Sequence, residues 1–530
     1  MKIAALGDNA PISRVPTNLV TGATVAAARW TMAMRHFSSE PLDMFIPTVA
    51  SARSDAQDPA LRALDDIEAS IRSGAYDVVH DQNSPLSFDH LLMPCHASPA
   101  NPPPIASTQQ YAFTYSEIIR VALNVMLVGL WPGDRVFCPS NAARSAYLRL
   151  LGQLGDQLRA HGLTNDYGDM SQYVVAVPFG IDPDTYKPGH QAAARRRLGL
   201  PRDASVALHL GRLTPIDKAD WDTLLWLARQ VSSCVPDFRL VIAGADRRGF
   251  ASRLEAWVRH DGLSDHVAVF ANVPDELIPC LYHASDVMLL VGDSAQETQG
   301  LAILEAMSSG VPVVAPDWDG YRDMVTSDVG ALVDTYMYEG NVPFEIDGRL
   351  GDGGGLNVGL RLCASMDRGA AKEALIRLLR LPDVLKECGR CARKRVVAHF
   401  SEAQMVKRYL QVWRDAVTDR KAVRGLPPAR SFWPDLTSCF AKAYASSQIT
   451  DDSALALSGT ILGEPMVPRG LEKLFDPELC ADIVTALQRP RALGAIVEAL
   501  SSPGRGRAYI RRHVLAMLKC GVVVPRRDIR

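Results

Sequence analysis

Residues 285–323 read SDVMLLVGDSAQETQGLAILEAMSSGVPVVAPDWDGYRD. The run VMLLV is an uninterrupted apolar segment of strand length, and it ends at Gly292. A turn carrying Glu297 and Gly300 follows, a helix is predicted to begin near Leu301, and VPVVAP forms the next apolar run after Gly310. Strand, helix and strand in that order make one unit of a parallel sheet. The first backbone N–H groups of the helix then point beyond the carboxyl end of the strand, where the helix dipole favours an anion such as a diphosphate. Glu297 stands before the helix and Glu305 in its second turn. Ionised carboxylates are strong acceptors for vicinal hydroxyls, so one suits a sugar and the other a ribose.

The same alternation extends in both directions. Upstream, KIAALG, LDMFIP, DVVHDQ, PIASTQQ, RVFCPS and YVVAVP read as buried strands, and VALHLG, RLVIAG and VAVFAN restart the pattern before VMLLVG and VPVVAP. Two doubly wound domains in series, meeting near Pro183 to Gly189 and facing each other across a cleft, are predicted, with ligands beyond the strands' carboxyl ends. The boundaries expected are 1–185 for the first lobe, 186–395 for the second lobe and 396–420 for helices returning to the first lobe. A Pro- and Ser-rich linker at 421–469 and a small helical unit at 470–530 complete the chain. VPFEIDGRLGDGGGLN is read as a glycine-rich loop or insertion.

A chain of 530 residues is too long for one ordinary core. With 47% hydrophobic and 22% charged residues and a net charge of -2, its overall balance directs it neither to nucleic acid nor to membrane. The start, MKIAALGDNA, reads as a first strand and not as the apolar core of a signal peptide. The stretch IIRVALNVMLVGLW is shorter than the roughly 20 residues a membrane span needs. A cytoplasmic location is expected, and ten scattered cysteines suit reduced thiols. Cys388 and Cys391 read as neighbours on a helix face, and the acidic pairs Asp65-Asp66 and Asp451-Asp452 lack the setting of a metal site.

ETQGLAILEAMSSGVPVV resembles the sugar-donor signature of the retaining glycosyltransferases of family four: Glu, any residue, Phe, Gly, Leu, then a Glu-Ala-Met helix and Gly-Xaa-Pro-Val-Val. The resemblance implies the GT-B fold. Glu297 would contact the transferred sugar, the amides of Thr298, Gln299, Gly300 and Leu301 would hold sugar and phosphate, and Glu305 would bind ribose. Gln299 stands where Phe is usual. ALHLGRLTPIDKADWDTLL resembles the family's Gly-Arg loop followed by a Lys, here Gly211, Arg212 and Lys218, with one extra residue in the gap and Ala219 in place of Gly. Two cations there can neutralise a departing diphosphate without a metal or other cofactor. VVAVPFGIDPDTYKP resembles the word at the crossing between lobes, with Phe179 in place of Asn, and ARKRVVAHFSEAQMVKRYLQVWRDAV resembles the closing helices.

In the first lobe, Gly22 opens a predicted helix where relatives place a glycine loop beside the donor phosphate. His80, at the end of YDVVH, is expected at a strand's carboxyl end, facing the cleft as an acceptor-orienting or proton-transferring group, or else as an ordinary core histidine. Gln109 and Gln110 occupy the place where many family members carry a His. The activity implied is transfer of a hexose, with retention, from a UDP- or GDP-sugar to an acceptor such as a glycan, lipid-linked sugar, protein or small molecule.

Beyond the resemblance, ELCADIVTALQRP, ALGAIVEALSS and RAYIRRHVLAMLKCGVVVP read as three helices and a strand, resembling a winged helix-turn-helix. Residues 489–530 hold ten Lys or Arg against Glu498 and Asp528. That end is expected to meet a protein partner, a second copy or an anionic membrane surface at the inner face, in preference to nucleic acid. The competing functions are a catalytically silent relative that binds or regulates through this basic end, and a nucleotide-sugar epimerase.

Overall fold

Apolar runs without polar alternation belong in sheets covered on both faces, and the computed structural model places them there. It describes residues 1–6, 22–46, 61–63, 66–82, 88–110, 129–162, 169–215, 218–292, 298–337, 364–423, 449–458, 466, 475–502 and 505–526. Strands β1 (Ile3–Leu6), β2 (Leu42–Ile46), β3 (Leu61–Ala63), β4 (Val78–Asp81), β5 (Ile105–Gln109), β6 (Arg135–Cys138) and β7 (Val174–Ala176) form one parallel sheet, in the order β3-β2-β1-β4-β5-β6-β7. A second parallel sheet joins β8 (Ser205–Leu210), β9 (Phe238–Gly244), β10 (Val267–Ala271), β11 (Val287–Leu289), β12 (Val313–Pro316) and β13 (Gly330–Val333) in the order β10-β9-β8-β11-β12-β13.

The two doubly wound sheets are those the alternation predicted. In each, strand order reverses beside the first strand, between β1 and β4 and between β8 and β11, which opens a crevice at the carboxyl edge. Residues 287–291 show why the run is apolar throughout. Val287, Leu289 and Val291 enter the core on one face while Met288 and Leu290 enter the core on the other.

The chain crosses between the lobes twice. After β7 it passes through Phe179, Gly180 and Ile181, and it returns just after helix Pro382–His399, where Ile181 bridges Ser401. Helix Glu402–Ala422 then packs Tyr409 and Trp413 against Trp30 and Phe137 in the first-lobe core. Its Arg420, 1% exposed, donates to Asp134 at 2.6 Å, and Asp134 also takes His96 at 2.8 Å. A buried charge is tolerable only with such partners.

Strands β14 (Thr335–Met337) and β15 (Ala364–Met366) pair antiparallel on either side of residues 338–363. The glycine-rich stretch lies outside the described residues. Near the C-terminus, β16 (Ala454–Leu457) pairs antiparallel with β17 (Arg491–Ala492) and β18 (Val523–Pro525). Helices Pro477–Ala486, Leu493–Leu500 and Arg507–Lys519 pack Ile483, Ile496 and Ile510 against Leu455 and Val523. Strand β16 falls inside the stretch expected to be a linker. Four residues, ALAL, carry too little pattern to show a strand whose partners lie far along the chain.

The charge expected of this end is also reduced by folding. Arg511 pairs with Asp451 at 2.6 Å, and Arg505 reaches Asp476 and Asp482, all acids that precede the basic window in sequence. The eight cysteines among the described residues are free thiols. No helix among those residues is long and apolar enough to cross a membrane.

Candidate functional site

Loops leaving β8, β11 and β12 converge at the carboxyl edge of the second sheet. Arg212 sits where β8 ends, between the Gly211 N–H, which donates to Ala243, and the Leu213 N–H, which donates to Ala245. Lys218 lies just before Asp220, whose N–H reaches the Val291 carbonyl at the end of β11 at 3.4 Å. Lys218 therefore borders the end of β11, and Arg212 leaves β8, the strand paired with β11, at the same edge of the sheet. Gly320, in the loop after β12, closes on that turn from the other side, where a Cβ would lie 2.2 Å from the Thr298 carbonyl. Only a residue without a side chain allows the approach.

Helix Leu301–Ser308 starts from Gly300 at φ 87°, and no side chain among the described residues caps it, so the N–H groups of its first turn suit an anion. Thr298 and Gln299, just ahead, are buried. Glu305 is buried in the second turn, and its two oxygens face different lobes. Oε1 accepts from Arg29 Nη2 at 2.7 Å, from the first-lobe helix Gly22–Phe37. Oε2 accepts from the Tyr282 hydroxyl at 2.7 Å.

Burial raises the Tyr282 hydroxyl well above its ordinary pKa, and the Glu305 carboxylate adds to this, so the phenol is a firm donor. Burial alone would lower Arg29, but Glu305 more than offsets it and leaves the guanidinium charged. Arg29 Nη2 also donates to Tyr186 at 2.9 Å, while its Nη1 is buried without a partner among the described residues. Each carboxylate oxygen has two acceptor sites, so Glu305 keeps capacity for a further hydroxyl. A second link between lobes runs from Asn141, in the first turn of helix Asn141–Ala160, to Asp323. Its N–H reaches one carboxylate oxygen at 2.7 Å and its side-chain amide the other at 3.3 Å.

Glu297 lies outside the described residues, with 293–296. Gly22 begins helix Gly22–Phe37, and the loop before it, 7–21, also lies outside. His80 corrects an expectation, because it does not face the cleft. It is 0% exposed, bonded to Ser107 at 2.9 Å and Gln82 at 2.8 Å, and packed against Trp30 and Trp413. Burial pushes its pKa down to about 3, so the ring is neutral. The pairing of β4 between β1 and β5, with helix Glu402–Ala422 laid over its end, could not be read from YDVVH. Gln109 is likewise structural, bonding the Phe137 carbonyl and the Tyr409 hydroxyl.

A family model described as glycosyl transferases group 1 matches residues 190–340. The second lobe is a group 1 glycosyl transferase domain. Gly211, Arg212, Lys218, the 298–300 turn and Glu305 all fall within the matched glycosyl transferase segment. The chain is 33% identical over 252 residues to a D-inositol 3-phosphate glycosyltransferase of Acidothermus cellulolyticus, covering 46% of this chain and 53% of that protein. It spans about half the length of the curated relatives it matches, or less, with 40% of the corresponding enzyme of Segniliparus rotundus.

Among solved structures, sucrose-phosphate synthase from Thermosynechococcus elongatus superposes with a TM-score of 0.54 at 18% identity, over 79% of this chain and 100% of that one. HepE from Anabaena, in complex with UDP, gives 0.51 at 15% identity over 78% and 100%. The shared fold is GT-B. The glycosyl transferase lobe was legible in its loops, but Arg29, Tyr282 and Asp323 were not. They carry no local motif and reach the site only through long-range packing.

One group at the crossing ties pH to stability. Burial raises Glu402 to about 7, Asp182 adds to the rise and Arg29 opposes it. A carboxyl whose folded pKa exceeds its unfolded value favours the folded state fully below the unfolded pKa, and that contribution disappears as pH rises through 7. Glu402→Gln is therefore expected to raise Tm relative to wild type at pH 8 and to match it at pH 4. An equal Tm difference at both pH values would disprove this role.

Proposed function

We propose that the protein is a retaining glycosyltransferase that moves a hexose from a UDP- or GDP-sugar to a hydroxyl-bearing acceptor, without a metal. The observation that carries this reading is the start of helix Leu301–Ser308 at the sheet's carboxyl edge, which no side chain among the described residues caps, with Glu305 one turn inside it and Arg212 leaving β8 at the same edge. The helix N–H groups and the two cations, Arg212 and Lys218, would hold the diphosphate, Glu305 the ribose and Glu297 the transferred sugar.

In the reaction the bond from the sugar's anomeric carbon to the phosphate oxygen breaks, and the acceptor oxygen bonds to that carbon on the same face. The acceptor's proton passes to the leaving phosphate. Charge grows on that phosphate in the transition state, and Arg212 and Lys218 stabilise it there, which is the work a metal would otherwise do. Gly22 would add a first-lobe backbone contact. The free cysteines suit a reducing cytoplasm.

Thermal denaturation against UDP, GDP, ADP and their common sugars, with and without EDTA, tests this. A ligand at 100 times its Kd stabilises the fold by about 2.7 kcal/mol, so one nucleotide should raise Tm clearly and EDTA should leave the shift intact. Silence from every nucleotide at millimolar concentration sinks the donor site. Loss of the shift in EDTA sinks metal independence.

A further inference from the structure

Phe179 and Gln299, the two residues that depart most from the family words, face each other across the lobes. The Phe179 N–H donates to Gln299 Oε1 at 2.8 Å, and Gln299 Nε2 donates back to the Phe179 carbonyl at 3.1 Å. Both residues are buried, at 5% and 4% exposure. One side-chain amide thus satisfies both polar groups of one residue's backbone. This needs a donor and an acceptor side by side on a planar terminus, which an amide carries without having to take up a proton, and Asn is one methylene shorter.

What Gln299 grips is a fixed point. The Phe179 ring packs in the first-lobe core with Trp30 and Met405. Next along the chain, a Cβ on Gly180 would lie 2.6 Å from the Ser401 carbonyl, so the two crossings lie in direct backbone contact there. Ile181 then donates to the Phe400 carbonyl and accepts from the Glu402 N–H, both at 3.0 Å. On the other side of Gln299 comes Gly300 and the open start of helix Leu301–Ser308. Leu301 itself packs in the cores of both lobes.

We propose that Gln299 is a positioning residue that locks the 298–300 turn, and with it the helix N–H groups that cradle the donor phosphate, onto the interlobe hinge at Phe179. This rests on the donor reading above. The cradle is then built by both lobes, and its geometry is set before a donor arrives. Without the amide, a buried N–H and a buried carbonyl lose their partners and the turn loses its anchor. A misplacement of about 1 Å at such a site costs on the order of 100-fold in rate.

The test compares full-length wild type with Gln299→Met and Gln299→Leu, which both remove the two hydrogen bonds, the first while keeping the bulk. Hydrogen exchange without ligand is measured first. The Phe179 amide and helix 301–308 are expected to exchange at least about 10-fold faster in both variants, with β8 and β9 unchanged. Nucleoside diphosphate affinity should weaken about 10-fold, and kcat should fall more than KM rises. Wild-type exchange in a folded Gln299→Met overturns the proposal. So does a lower Tm accompanied by wild-type affinity and kcat, which would make Gln299 merely structural. If wild type binds no nucleoside diphosphate, the donor reading fails, and the exchange comparison alone still decides whether Gln299 anchors the turn.

Discussion

Arg212→Ala is expected to lower kcat/KM by about 100- to 1,000-fold. Arg212 stands in the loop after β8, where backbone hydrogen bonds of Gly211 and Leu213 hold the chain on either side of it. The guanidinium acts on charge that develops as the sugar–phosphate bond breaks, and such interactions are stronger in the transition state than in the ground state. Loss should therefore fall mainly on kcat. Steady-state kinetics against the nucleotide sugar found in the thermal screen would show it. Wild-type turnover in the variant would remove Arg212 from the reaction.

Glu305→Ala carries two costs that the structure separates. As the proposed ribose ligand, Glu305 should contribute about 10- to 100-fold to nucleotide affinity, the value of charged hydrogen bonds lost from a binding site. As the carboxylate between Arg29 and Tyr282, it also neutralises a cation brought from the other lobe. Removing one partner of a buried pair costs about 3–5 kcal/mol. The Arg29 side chain keeps 20% exposure, which places the cost at the lower end. Denaturant unfolding of Glu305→Ala should show that loss even without nucleotide, and calorimetric titration should show the weaker binding. Arg29→Met then separates the two costs, because it should restore much of the stability when combined with Glu305→Ala and leave the affinity defect in place. Unchanged nucleotide affinity in Glu305→Ala would leave it a purely structural residue.

Much of this was written locally. A strand ending at Gly292, a turn and an apolar helix after Gly300 state a parallel unit with an anion-favouring helix start, because hydrophobic period and turn chemistry are properties of neighbours in sequence. Gly211 and Arg212 were picked out by likeness to the family's Gly-Arg loop and not by periodicity. Of the two readings of His80, the core one holds, because a strand's carboxyl end faces a crevice only where nothing covers it, and here Trp413 from helix Glu402–Ala422 does. The charge of residues 489–530 was overstated because Asp451, Asp476 and Asp482 fold back onto it from earlier in the chain.

Sequence by itself determined the two doubly wound sheets and the helix that starts after Gly300, since each follows from patterns a few residues long. Tertiary structure alone decided which groups meet between the lobes. Arg29 reaches Glu305 from 276 residues upstream, and Gln299 meets Phe179 across a separation of 120. Such contacts depend on where two separately folded sheets come to rest against each other, and no local periodicity encodes that distance.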